Sequence, residues 1–204
     1  MNKSRVRRLT TAAIMGVIAF LLLAVNFSIP VISVFAEFDL SALPEIIGGF
    51  ILGPIGAIEI IVVKIVLKLL FQGTSSMFTG EVQNLILSMA YVLPAVIYYR
   101  KHRTKKGALI GLVIGTVFTV VLSVFTNVYL IFPAFMYLYG MDWDSIISMA
   151  TAVNPYITSL PTFVALSVLP FNIIARTLIS VLAVLLYKKI SVPLKKLIQE
   201  DVKK

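Results

Sequence analysis

What most constrains this chain is the recurrence of apolar runs long enough to cross a bilayer. A hydrocarbon core about 30 Å thick takes about 20 helical residues, and runs near that length follow one another along the sequence. With 59% hydrophobic and 13% charged residues in 204 positions, the chain has more apolar surface than a soluble core could bury. The expectation is an all-α, multi-pass membrane protein forming one domain over residues 1–204.

Six transmembrane helices are expected. The first, residues 9–28, follows a basic start as a signal peptide would. Its run is too long for that, and no A-x-A-like cleavage site precedes Pro30. The second, 41–52, is short and stops at Gly53-Pro54. Twelve helical residues reach only about 18 Å, so it reads as a tilted or partial span. The third covers 55–71, the fourth 82–99, the fifth 108–129 with a continuation past Pro133 left open, and the sixth 162–187. A loop over 139–160 carries Trp143 and tyrosines suited to an interface. The tail from Ile190 reads as a short amphipathic surface piece.

Charge sets the orientation. Of 18 Lys and Arg, four precede the first span, five lie between Arg100 and Lys106, and six follow Tyr187. The alternate loops hold Glu37, Asp39, Asp142 and Asp144 and no Lys or Arg. By the positive-inside rule both termini are cytoplasmic, in agreement with an even number of spans. The net charge of +9 is thus a topology signal and gives no reason to expect nucleic-acid binding.

Polar residues within the spans form stripes. Glu81, Asn84 and Ser88 share a face of the fourth helix; Thr116, Thr119, Ser123 and Asn127 share one on the fifth; Asn172, Arg176 and Ser180 share one on the sixth. Hydroxyls commonly bond the carbonyl of the preceding turn, but an amide has two donors and an acceptor to satisfy. Asn84, Asn127 and Asn172 fall toward the outward ends of three spans, beside the loop bearing Asp39. That convergence predicts a half-buried polar pocket open to the outside. Phe35, Phe38, Phe78, Tyr91, Phe125 and Tyr129 stand near its mouth, either flanking a flat ring or forming a membrane belt. Lys64 lies near mid-depth and needs a carboxylate partner or a polar cavity. Lys68 is placed to snorkel, and Arg176 is open to either ion pairing or ligand contact. On the first helix, Ala12, Gly16 and Ala19 form a small-residue face that serves intramolecular packing or a partner helix.

Other chemistries lack their parts. No cysteine is present, and the single histidine, His102, sits in a basic loop, so neither a metal set nor a thiolate nucleophile is expected. An intramembrane enzyme would need a nucleophile–base pair, and no such pair has diagnostic spacing. There is no G-x-x-x-x-G-K-[ST] phosphate loop. A secondary transporter usually shows repeated halves with broken helices, and here there is one Gly-Pro break and no internal repeat.

The run FDLSALPEIIGGFILGPIGAIEIIVVKIVLKLL, then TGEVQN, then PFNIIARTLISVLAVLLYKK resembles the riboflavin-binding substrate subunits of energy-coupling factor (ECF) transporters, along nearly the whole chain. The combined pattern of D-x-S-x-x-P, G-G-F-x-x-G-P, G-E-x-x-N and P-F-N carries the likeness. It implies a six-helix fold with a vitamin pocket near the extracellular side of a bacterial plasma membrane. The ligand is transported, without catalysis and without a cofactor. Partners would be a membrane coupling protein and two cytoplasmic ATPases, and the loaded subunit would topple to open inward. Ala12, Gly16 and Ala19 would dock on the coupling helices. By position, ligand contacts would be Asp39, Ser41, Glu81, Asn84, Asn127 and Asn172, with Arg176 supplying charge from beside a position where the family often has lysine, here Ala175. A second departure is Glu37, where lysine is also common. Riboflavin is uncharged, with a planar ring and a tail of hydroxyls, so amides suit it better than a cationic clamp. A subunit for another vitamin is the nearest alternative, followed by a different polytopic transporter.

Overall fold

The computed structural model describes the backbone of residues 3–28 and 36–199, and the side-chain environments of residues 5–28 and 36–186. In chain order the elements are α1 (Lys3–Ala24), β1 (Phe27–Ser28), β2 (Glu37–Phe38), α2 (Ala42–Leu52), α3 (Pro54–Phe71), α4 (Thr79–Lys101), α5 (Lys105–Thr126), α6 (Phe132–Tyr139), α7 (Trp143–Thr151), α8 (Leu160–Phe163) and α9 (Leu169–Gln199). The two strands pair antiparallel, Phe27 opposite Phe38 and Ser28 opposite Glu37.

Among the described residues, four stretches are long and apolar enough to cross a membrane: Arg5–Ala24, Thr79–Lys101, Lys105–Tyr139 and Leu160–Leu186. Between the first two lie α2, apolar but only 11 residues long, and α3, which carries Glu59, Lys64 and Lys68. Gly53 ends α2 at φ 86°, a left-handed conformation that favours glycine, and Pro54 opens α3 where no helical N–H is required. From Ala42 to Phe50 every residue of α2 is buried.

The helices meet through small residues. A Cβ on Gly115 of α5 would lie 2.2 Å from the Tyr91 carbonyl of α4, and one on Gly111 would lie 2.7 Å from that of Ala95. Only glycine allows this approach, which seats α5 directly on the backbone of α4. Around this seam a core of Ile46, Ile60, Ile61, Val92, Val96, Leu112 and Ile179 is almost fully shielded. A separate cluster of Phe132, Ile146, Ala150, Ile157, Phe163 and Val168 ties α6, α7 and α8 together.

Two π-helical turns, Asn127–Ile131 and Val164–Val168, interrupt the long spans. In each the wide turn closes on the following residue, Phe132 N–H to Asn127 O and Leu169 N–H to Val164 O. A proline comes next, Pro133 or Pro170, with no N–H to give the turn before it.

Several boundaries differ from expectation. The fifth span takes the continuation left open for it, through its π turn and Pro133 to Tyr139. The loop expected over 139–160 contains α7, started by Asp142, whose Oδ1 accepts from Ser145 N at 2.8 Å. The tail from Ile190, expected as a separate surface piece, continues α9 to Gln199; its side chains and Phe35 lie outside the described residues.

Candidate ligand-binding site

A cavity of about 380 Å³ opens where α4, the π turn after α5, and the start of α9 converge beneath β2 and the loop before α4. Its polar lining includes Asn26, Asp39, Gln83, Asn84, Asn127, Asn172 and Arg176; Phe135, Phe163 and Phe171 form aromatic walls. The π turn delivers Asn127 and Ile131, and the turn after Pro170 delivers Asn172. A separate open groove of about 820 Å³ runs along α7 past Trp143 and Thr151, and none of the expected site residues lies on it.

The three asparagines predicted to converge do so. Asn127 Nδ2 donates to Ser123 O at 2.7 Å and Asn172 Nδ2 to Val168 O at 2.9 Å, so each amide is anchored one turn back on its own helix. Asn84 is anchored differently: its Oδ1 accepts from Lys64 Nζ at 2.6 Å. Asp39 Oδ1 accepts from the backbone N–H of Ser41 at 2.6 Å, forming the turn that starts α2. Arg176 lines the cavity with its guanidinium 5.3 Å from the centre of the Tyr91 ring, and the Tyr91 hydroxyl meets Ser180 Oγ at 2.8 Å. Buried atoms of two lining residues, Gln83 Oε1 and Arg176 Nε, find no partner among the described residues.

Ser41 and Glu81, expected to meet the ligand, stand behind the wall. Ser41 is buried, and its hydroxyl accepts from Lys64 Nζ at 3.2 Å. Glu81 is ion-paired with Lys68 and accepts from Thr74 Oγ1 and Ser76 Oγ, each at 3.0 Å, which pins the loop before α4. Lys68 therefore turns inward to the cavity and does not snorkel. Lys64 has the carboxylate partner expected of it, and that partner is Glu45.

The small-residue face of α1 packs inside the chain. Ala12 and Ala19 are 2% and 0% exposed, and a Cβ on Gly16 would sit 2.5 Å from Val63 Cγ1 of α3. The face is already used inside the chain, where Gly16 lets α1 close on α3.

Of the expected mouth aromatics, none of those described lines the cavity. Tyr91 is fully buried, Phe38 packs on Phe27 at 5.1 Å, and Phe78, Phe125 and Tyr129 point outward. The phenylalanines that do line the cavity each follow a proline by one or two residues, in Pro133-Ala-Phe135, Pro161-Thr-Phe163 and Pro170-Phe171. That recurring pair was the available sequence signal. Amides each anchored at one end, one guanidinium and aromatic walls make a site for holding a flat, hydrogen-bonding molecule.

Comparison with known proteins places this geometry. Residues 7–187 match the family described as ECF transporter, substrate-specific component. The chain is 31% identical over 197 residues to the riboflavin transporter RibU of Staphylococcus aureus (strain TCH60), with 97% of each chain covered. It is 29% identical over 187 residues to the riboflavin transporter FmnP of Bacillus subtilis (strain 168), covering 91% of this chain and 93% of that one. Its fold is similar to a solved structure described as the S component of a bacterial ECF transporter. The TM-score is 0.72 and the identity 27%, covering 94% of this chain and 99% of the other.

Proposed function

The chain belongs to the substrate-specific components of ECF transporters, and on that premise we propose that it captures riboflavin outside a bacterial plasma membrane and delivers it inward. Its role is transport and not catalysis, and riboflavin is cargo with no cofactor involved. The observation that carries the substrate is the cavity itself. Its volume of about 380 Å³ lies in the range of small-molecule sites, about 300–1,000 Å³. Three aromatic walls suit a planar ring, and three anchored amides suit a ring edge and hydroxyl tail. Arg176 is the one lining cation without an acidic partner among the described residues, too little to favour a doubly charged phosphate.

The proposed arrangement has six spans with cytoplasmic termini. Support for α3 as a span comes from its outward face, where Ile55, Ile58, Val62, Val66 and Leu70 are exposed and apolar as lipid contact requires. The buried α2 completes the bundle from within. The orientation rests on the basic loops. In this reading the loaded subunit topples against a membrane coupling protein, driven by two separate ATPases, since the chain has no phosphate loop of its own.

The test is the visible absorbance of protein purified in detergent, followed by titration of riboflavin fluorescence. Co-purified flavin, or quenching that saturates at one ligand per chain, supports the substrate. A colourless protein that leaves riboflavin fluorescence unchanged removes riboflavin and leaves the family and fold standing.

A further inference from the structure

Directly behind the cavity wall, four acceptors surround Lys64 Nζ: the Glu45 carboxylate, Asn84 Oδ1 at 2.6 Å, Ser88 Oγ at 3.0 Å and Ser41 Oγ at 3.2 Å. The Lys64 and Glu45 side chains are both 0% exposed. An ammonium has three protons to give and nothing to accept with. The atom of Asn84 that faces it must therefore be the carbonyl oxygen, because a flipped amide would aim two N–H groups at a buried cation. Asn84 Nδ2 is thereby turned away from Lys64, and Asn84 lines the cavity with no recorded partner for that group among the described residues. Asn127 and Asn172 are fixed in the opposite sense. Each gives Nδ2 to a backbone carbonyl and keeps Oδ1 without a partner among the described residues. The cavity thus offers an oriented donor at Asn84 and acceptors at the other two amides.

We infer that Lys64, held in place by Glu45, is a positioning residue that sets specificity by locking Asn84 as a hydrogen-bond donor toward the ligand. The ligand must then present an acceptor to Asn84, as the carbonyls, ring nitrogens and hydroxyl oxygens of a flavin do. A ligand offering only N–H groups there would leave two donors facing each other, and a mismatched buried polar group is what discriminates most strongly. The inference rests on the riboflavin reading and extends it to a residue that does not touch the ligand.

The experiment is riboflavin fluorescence titration of the full-length chain in detergent, with a thermal melt of each variant. Asn84→Asp keeps an acceptor for Lys64 and removes the N–H donors. It should bind riboflavin about ten-fold or more weakly at unchanged melting temperature. Glu45→Met with Lys64→Met replaces the pair with apolar groups of similar size and frees the amide to rotate. That double variant should lose affinity several-fold, on the order of 3- to 10-fold. In an Asn84→Ala background the same pair of changes should cost nothing further, because their effect runs through Asn84. A purely structural role would weaken binding equally in both backgrounds, and that result overturns the inference. So does wild-type affinity in Asn84→Asp, which decides the matter even where the methionine variants fail to fold. Wild-type protein that does not quench riboflavin removes the substrate reading. Wild-type binding with indifferent Asn84→Asp removes this inference alone.

Discussion

Glu45 on α2 and Lys64 on α3 form an ion pair sealed from both sides, each side chain 0% exposed. Burying two charges is costly, and their attraction offsets that cost only when further hydrogen bonds complete the shell. Here Ser41, Asn84 and Ser88 complete it around Lys64, while Glu45 Oε2 has no partner among the described residues. Glu45→Ala or Lys64→Ala should each destabilise the protein by about 3–5 kcal/mol, since either strands its partner. The double change to methionine should cost far less than the two singles combined. Thermal melts of the three variants check this, and additive losses would show that the two residues do not act as a pair.

Gly16 separates packing from partner docking on α1. A leucine there must displace Val63 and approach the Ile60 carbonyl, already 3.3 Å from an ideal Cβ. Gly16→Leu should therefore lower stability by about 1–3 kcal/mol with no partner present. Val17→Leu, on the exposed side of the same helix, should be close to neutral. The check is a melt of the isolated subunit in detergent. An unchanged melting temperature for Gly16→Leu would mean that α1 does not close on α3 through this residue.

Helical spacing and side-chain chemistry together were enough to find Asn84, Asn127 and Asn172, because an amide inside a span must be given partners and three such faces point one way. The same spacing was silent about Glu45. Its pairing with Lys64 depends on how far α3 rotates after the Gly53-Pro54 turn, which no single-helix period encodes. The cavity phenylalanines were missed for a related reason. Each π turn adds a residue to its helix and rotates everything beyond it by about 100°. Phe135 faces the cavity beyond one such turn, while Phe125, before it, points outward. A stripe such as Ala12, Gly16 and Ala19 looks the same whether it meets a neighbour in the chain or in another subunit, and here it meets α3.

The anchored amides make a graded prediction for binding. Asn127→Ala and Asn172→Ala each remove one cavity acceptor and one bond to their own helix, without disturbing the Gly111–Gly115 seam. Each should weaken riboflavin about ten-fold, the value of one buried hydrogen bond, while membrane insertion stays intact. Fluorescence titration of membrane-extracted variants measures this, and wild-type affinity in both would take these two residues out of the site.

The absence of cysteine in all 204 residues makes orientation directly testable. Tyr156, in the loop between α7 and α8, is 80% exposed, and His102, in the turn between α4 and α5, is also exposed. The continuous helix from Lys105 to Tyr139 lies between them and is long enough to cross the bilayer once. Under the proposed topology the basic residues from Arg100 to Lys106 keep His102 inside, so Tyr156 should be outside, near the open end of the cavity. Tyr156→Cys should react with a membrane-impermeant maleimide in intact cells, and His102→Cys only after permeabilisation. The reverse pattern would invert the topology and point the cavity inward. Equal labelling from outside would mean that the segment from Lys105 to Tyr139 does not cross the membrane.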